Sequence, residues 1–162
     1  MSALIRPATP ADVPAILGLI RELADYEKLL EHAKATPADL DVALFGDRPA
    51  AEALVAVVDG QTVGFALYFT TFSTFVGRPG IYLEDIYVQP AFRGQGLGKQ
   101  FFRCIAQLAV ERGCGRIEWS VLNWNTPAWK FYESLGATPL DDWTIHRLAG
   151  DAIRTLAESA RP

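Results

Sequence analysis

The sequence predicts an α/β fold, a mixed sheet covered by helices on both faces. Three observations carry that reading. Two β-rich runs, Glu52 to Val58 and Thr62 to Phe69, meet at Asp59-Gly60, a hairpin signal. Apolar residues recur at helical spacing in two long stretches, 13–24 and 97–112. The second stretch lies between two further β-rich runs, as a β-α-β crossover requires.

Taken in order, Leu4-Ile5-Arg6 forms a short first strand. A helix starts near Thr9 or Asp12, either of which can cap it, and Pro14 sits more easily if the cap is Asp12. Its apolar face is Val13, Ile16, Leu17, Ile20, Leu23 and Ala24. Thr36-Pro37-Ala38-Asp39 opens a second helix that ends by Gly46. After the hairpin, Gly80 to Val88 reads as a strand closed by Gln89-Pro90. Leu97 to Arg112 is a helix with Leu97, Phe101, Ile105 and Leu108 along one side. Arg116 to Leu122 reads as a strand, and Asn125-Thr126-Pro127 opens a helix that stops at Leu135-Gly136. Trp143 to Leu148 is expected as a last strand and Asp151 to Ser159 as a terminal helix. Nothing along the 162 residues marks a linker or a repeat, so 1–162 reads as one domain.

Composition narrows the function classes. Half of the residues are hydrophobic and 21% are charged, which suits a globular chain. A net charge of -4 argues against a nucleic-acid binder, which needs clustered Lys and Arg, and is consistent with a cationic substrate. No apolar run reaches the roughly 18 residues of a membrane span, and residues 1–7 lack the basic and apolar regions of a signal peptide. The expected location is the cytoplasm, with no membrane partner. Two cysteines, Cys104 and Cys114, with His32 and His146, make neither a disulfide framework nor a zinc site, so no metal is expected.

The chemistry is concentrated after the strand 80–88. In Arg93-Gly94-Gln95-Gly96-Leu97-Gly98-Lys99, alternate glycines let the backbone approach a ligand and turn successive N–H groups one way. The following helix adds its N-terminal N–H groups, and Arg93 and Lys99 bracket the turn with positive charge. Residue chemistry alone leaves two readings, a phosphate or pyrophosphate cradle and a plain tight turn. A Walker loop fails because Gln100 follows Gly98-Lys99, and a Rossmann fingerprint fails because Lys99 or Phe101 stands where its last glycine must be.

Arg93-x-x-Gly96-x-Gly98 after such a strand resembles the acetyl-CoA signature of the GNAT N-acetyltransferases. The match is closer to their diamine (spermidine/spermine) and thialysine branch, through Tyr26-Glu27, Tyr82-Leu83-Glu84-Asp85, Trp124-Asn125 with Pro127, Phe131-Tyr132 and Trp143. The resemblance covers nearly the whole chain. It implies the GNAT fold, a mostly antiparallel sheet with a splayed central pair, and transfer of acetyl from acetyl-CoA to a primary amine. It also implies a homodimer, with Phe72 and Phe75 as candidates for the interface.

Roles follow residue by residue. The cofactor's pyrophosphate falls to Arg93, Gly94, Gln95, Gly96, Leu97, Gly98 and Lys99. Its pantetheine arm falls along Ile86, Tyr87 and Val88, one of whose N–H groups polarises the thioester, and beside Asn125, Thr126, Pro127 and Ala128. A lysine-like amine, with a reference pKa of about 10.4, is neutral in about one molecule in a thousand at neutral pH, a handicap of roughly 4 kcal/mol. Glu84 is the candidate to take its proton. Alternation gives a second reason: Glu84 and Asp85 on a central strand face opposite sides, so at least one acid is buried and needs a partner or a task. Tyr132 matches the general-acid tyrosine that protonates the leaving thiolate. Tyr26, Glu27, Glu84 and Asp141 are implied for the amine, and Glu118 or Trp119 could line the same cleft.

Polyamine acetylators of the branch carry Ala-Glu-Trp-Asn where this chain has Leu122-Asn123-Trp124-Asn125, and a long insertion is replaced by Asp59-Gly60-Gln61. These changes surround the acceptor cleft rather than the transfer residues. Neither cysteine has an adjacent histidine, so direct attack in a ternary complex is expected over an acyl-enzyme. The rival readings are a same-fold enzyme acting on a peptide, protein lysine or amino sugar, and a non-catalytic acyl-CoA sensor.

Overall fold

The computed structural model describes residues 3–159, which divide into two compact units at Leu122/Asn123. The first unit is a five-stranded sheet in the order β1-β2-β3-β4-β5, with β1 Ala3–Pro7, β2 Glu52–Val58, β3 Gln61–Ser73, β4 Arg78–Val88 and β5 Ile117–Trp119. The first four strands are antiparallel to their neighbours, and β5 is parallel to β4 because α3 (Leu97–Glu111) connects them. The hairpin of β2 and β3 closes through Asp59 and Gly60, both with positive φ, the geometry whose twist suits a two-residue loop.

β5 pairs with β4 only at Ile81, Tyr82 and Leu83. From Glu84 to Val88 that edge of β4 has no strand beside it among the described residues, which is the expected splay.

Helices cover both faces. On one, α1 (Val13–Tyr26) and α2 (Pro37–Phe45) bury Val13, Ile16, Leu17, Leu19, Leu40 and Leu44 against Val55, Phe65 and Tyr87 of the sheet. On the other, Phe101 of α3 reaches Gly64, and Phe102 meets Trp119 edge-on with ring centroids 4.9 Å apart. Neither residue expected to cap α1 does so through its side chain: Thr9 precedes the 3₁₀ turn Pro10–Asp12, and the Asp12 carboxylate turns back to Thr9 rather than onto the N–H groups of α1. Asp12 precedes α1, accepts hydrogen bonds from the Thr9 N–H (2.7 Å) and hydroxyl (2.8 Å), and pairs with both ends of the Arg6 guanidinium. Those donors hold the Asp12 carboxyl down at about 2.

The second unit contains α4 (Thr126–Ser134) and α5 (Asp151–Ser159). α5 lies where it was expected. The strand expected at Trp143 to Leu148 does not form: no ladder includes these residues, and Trp143 and Ile145 are each 75% exposed. Alternating β-formers fit a pleated surface, but without a hydrogen-bonded neighbour that preference has nothing to act on. The strand expected at Arg116 to Leu122 shortens to Ile117–Trp119.

Candidate active site

β4 delivers the chain through one 3₁₀ turn (Pro90–Phe92) to the glycine turn. Gly94 and Gly96 take φ of 77° and 81°, and Gly96 is the residue preceding α3. A Cβ on either would meet nothing within 4 Å. Backbone conformation, not crowding, therefore requires glycine, and the space beside the turn is open. Leu97 is buried and anchors the helix start, and the N–H groups of Leu97, Gly98 and Lys99 open α3, where a helix cannot satisfy its first donors internally. The arrangement suits an anion such as pyrophosphate.

Arg93 does not extend along the turn. Its Nε donates to the Val88 carbonyl at 2.8 Å, and its guanidinium carbon lies 5.3 Å from the ring centroids of both Tyr26 and Tyr87. The Tyr87 hydroxyl donates to Glu22 at 3.2 Å, and Gln89 Nε2 donates to the other oxygen of Glu22 at 2.9 Å. Ile86, Tyr87 and Val88 pair with Ala66, Phe65 and Gly64 on one side, and among the described residues no strand pairs with their opposite edge, an arrangement that suits an extended ligand.

The acids of β4 are arranged by a β-bulge. Leu67 opposes Asp85 while Tyr68 opposes Leu83, so Glu84 is the extra residue. The bulge resets the alternation: Asp85 shares a face with Leu67, toward α1, and Glu84 is exposed. Asp85 is thus the acid withdrawn from water. Burial first, then the charges of Glu84 and Glu27, push its carboxyl up to about 6. Glu27, just past α1, is also raised by burial. Asp85 and Glu27 line one cavity of 170 Å³ with Ile20, Leu23, Ala24 and His32. Alternation along the strand indicates that one of Glu84 and Asp85 is buried, but favours Glu84 as the working acid, since no residue in the run signals the bulge.

Of the other acceptor candidates in this unit, Tyr26 is brought to Arg93. Glu118 lies opposite Tyr82 and is engaged by Arg116 at 2.9 Å. Trp119 faces α3 through Phe102, so the two candidates of β5 point to different faces. A larger recess of 420 Å³ beside β1, β2 and α3 contains none of the predicted residues, and its Glu52 and Arg112 are paired with each other at 2.6 and 2.7 Å.

In the second unit, buried Asn125 precedes α4 and accepts a hydrogen bond from the Ala128 N–H at 3.4 Å, with Thr126 and Pro127 in the first turn. Tyr132 is half-buried on α4 beside Phe131, their ring centroids 5.6 Å apart. Asp141 is exposed, in a turn.

The Acetyltransferase (GNAT) family model matches residues 19–137, running across the division at Leu122. The chain belongs to the GNAT family. The thialysine N-epsilon-acetyltransferase of Bos taurus is 41% identical over 165 residues, covering 95% of this chain and 96% of the relative. An L-ornithine N5-acetyltransferase of Arabidopsis thaliana is 30% identical, covering 96% and 88%. An integron cassette protein from the mobile metagenome of V. cholerae superposes with a TM-score of 0.81 at 28% identity, covering 98% and 99%. This chain is thus a GNAT N-acetyltransferase of the diamine/thialysine branch. Among the described residues no helix is long and apolar enough to cross a membrane, and no three His, Cys, Asp or Glu cluster as metal ligands.

Proposed function

We propose that this GNAT enzyme, acting as one domain, transfers acetyl from acetyl-CoA to a primary amine of a small diamine, polyamine or lysine-like molecule by direct attack in a ternary complex. The observation that carries the reading is the pair Glu27 and Asp85 lining one cavity beside α1, with the charge of Glu84 next to Asp85 on β4, a few residues before an open glycine turn. The relatives named for thialysine and L-ornithine support the same acceptor class.

The glycine turn would hold the cofactor's pyrophosphate through backbone N–H groups of 94–99, and the free edge of Ile86–Val88 would pair with its pantetheine amides. When bound, acetyl-CoA supplies an activated thioester acyl group. The chain's own residues do the rest. Three carboxylates attract a cationic amine, and a docked ammonium favours the ionised form of Asp85 that burial opposes. Glu84, exposed to water, takes the proton directly or through a water molecule. An N–H among Ile86, Tyr87 and Val88 polarises the acyl carbonyl, and Tyr132 donates a proton to the departing thiolate. By the family resemblance, Asn125 to Ala128 are assigned to the cofactor and Asp141 to the amine. We further propose a cytoplasmic homodimer; Phe72 and Phe75, 65% and 97% exposed, are its candidate contacts.

The test is free-thiol release from acetyl-CoA against polyamines, lysine analogues, peptides and aminoglycosides. Release is expected with small diamines and lysine analogues. Release only with peptides or amino sugars would transfer the reading to those acceptors, and none with any amine would leave a cofactor-binding protein without this activity.

A further inference from the structure

Arg93 opens the glycine turn, yet its side chain is spent elsewhere. The hydrogen bond from Nε to the Val88 carbonyl, five residues back, directs it along the end of β4. There the guanidinium is equidistant, at 5.3 Å, from Tyr26 on the last turn of α1 and Tyr87 on β4. One turn earlier on the same helix, Glu22 receives Tyr87 and Gln89. The end of α1 and the end of β4 are therefore joined by two adjacent ties, one through Glu22 and one through Arg93. Tyr26 is followed by Glu27, whose carboxylate lines the cavity with Asp85, and then by Lys28 in left-handed backbone, where the helix direction is lost. Fixing the Tyr26 ring fixes the point from which Glu27 departs.

We infer that Arg93 is a positioning residue for the acceptor amine, clamping Tyr26 to β4 so that Glu27 is held beside Asp85. The inference rests on the small-amine reading of the acidic cluster. Its chemistry is specific to arginine. A planar guanidinium can stack between two rings while its Nε serves a carbonyl, whereas a lysine ammonium keeps the charge but loses the plane and the fork. Lysine therefore separates the two roles that position 93 could have. A charge acting on the cofactor's phosphates survives Arg93→Lys; a clamp on Tyr26 does not.

The experiment is steady-state kinetics of R93K, Y26L and the double variant, with amine and acetyl-CoA varied in turn. Amide hydrogen exchange over residues 23–29 is followed in the same proteins. R93K should raise the amine KM about fivefold to tenfold, with kcat and the acetyl-CoA KM within about twofold of the parent. Y26L should do the same, and the double variant should be no worse than the poorer single, since both remove one contact. Exchange over 23–29 should quicken in R93K without acetyl-CoA or amine present. An unchanged amine KM in R93K, an acetyl-CoA KM that rises in step with it, or additive effects in the double variant would overturn the inference. If the unmodified enzyme acetylates no amine, the small-amine reading fails, and the acceptor role with it. The exchange arm still decides the clamp, which unchanged protection in R93K would refute.

Discussion

Replacing Asp85 by asparagine removes a charge that the folded chain holds unfavourably. The carboxyl sits at about 6 in the structure against its ordinary value of 3.8, so the folded state binds its proton more tightly than the unfolded state does. Below the unfolded value both states are protonated and Asp85 contributes nothing to pH dependence. Between about 4 and 6 only the folded state is protonated, so stability falls as pH rises through this window. Above 6 both are ionised and the full penalty applies, about 2 to 3 kcal/mol at 1.36 kcal/mol per pKa unit. Asp85→Asn should therefore stabilise the protein at pH 8 by on the order of 1 to 3 kcal/mol, or about 3 to 9 °C in Tm for a chain of this size. At pH 4 the gain should vanish. Urea unfolding of both proteins at pH 4, 5, 6 and 8 measures it, and amine turnover should fall as stability rises, the exchange expected of a strained functional acid. An asparagine variant less stable than the parent at pH 8, or a stability difference that does not change between pH 4 and 8, would refute the argument.

Further outcomes follow from the same geometry. Tyr132→Phe should lower kcat by about a hundredfold or more while leaving acetyl-CoA affinity near that of the parent, measured by steady-state kinetics and calorimetry. Gly96→Ala should weaken acetyl-CoA binding and cost about 1 to 2 kcal/mol of stability, because φ of 81° strains any Cβ even though no atom crowds it. Asp12→Asn should destabilise the fold by about 1 to 2 kcal/mol at neutral pH, the figure being reduced because Arg6 stays partly in water. The Asp12 carboxyl is depressed, so its contribution is present above about 4 and is lost as pH falls toward 2; thermal melts at pH 7 and 2.5 should show the variants converging.

The parts of the fold legible in the sequence are those fixed by local chemistry. Asp59-Gly60 can close a two-residue hairpin, Thr36 with Asp39 forms a reciprocal cap, and the apolar face of α1 reaches the core largely as its spacing indicates. What escaped depends on partners distant in sequence. The bulge at Glu84 exists because β4 must match β3 on both sides of it, and only that register shows Asp85 to be the withdrawn acid. Trp143 to Leu148 alternates like a strand but lacks a ladder. The glycine turn was readable from composition and order, whereas the rotation of Arg93 toward Tyr26 was not, since a long side chain beside an anion cradle has several equally regular ways to lie.

If Glu27, Glu84 and Asp85 select a small primary amine, acetyl must end on that amine. The enzyme is incubated with acetyl-CoA and a lysine-like diamine, free CoA is counted, and the amine product is identified by mass spectrometry. One mono-N-acetylated amine per CoA released is the predicted result, with both falling together in Glu84→Gln. CoA released without acetylated amine, or acetyl found only on peptides offered in competition, would contradict it.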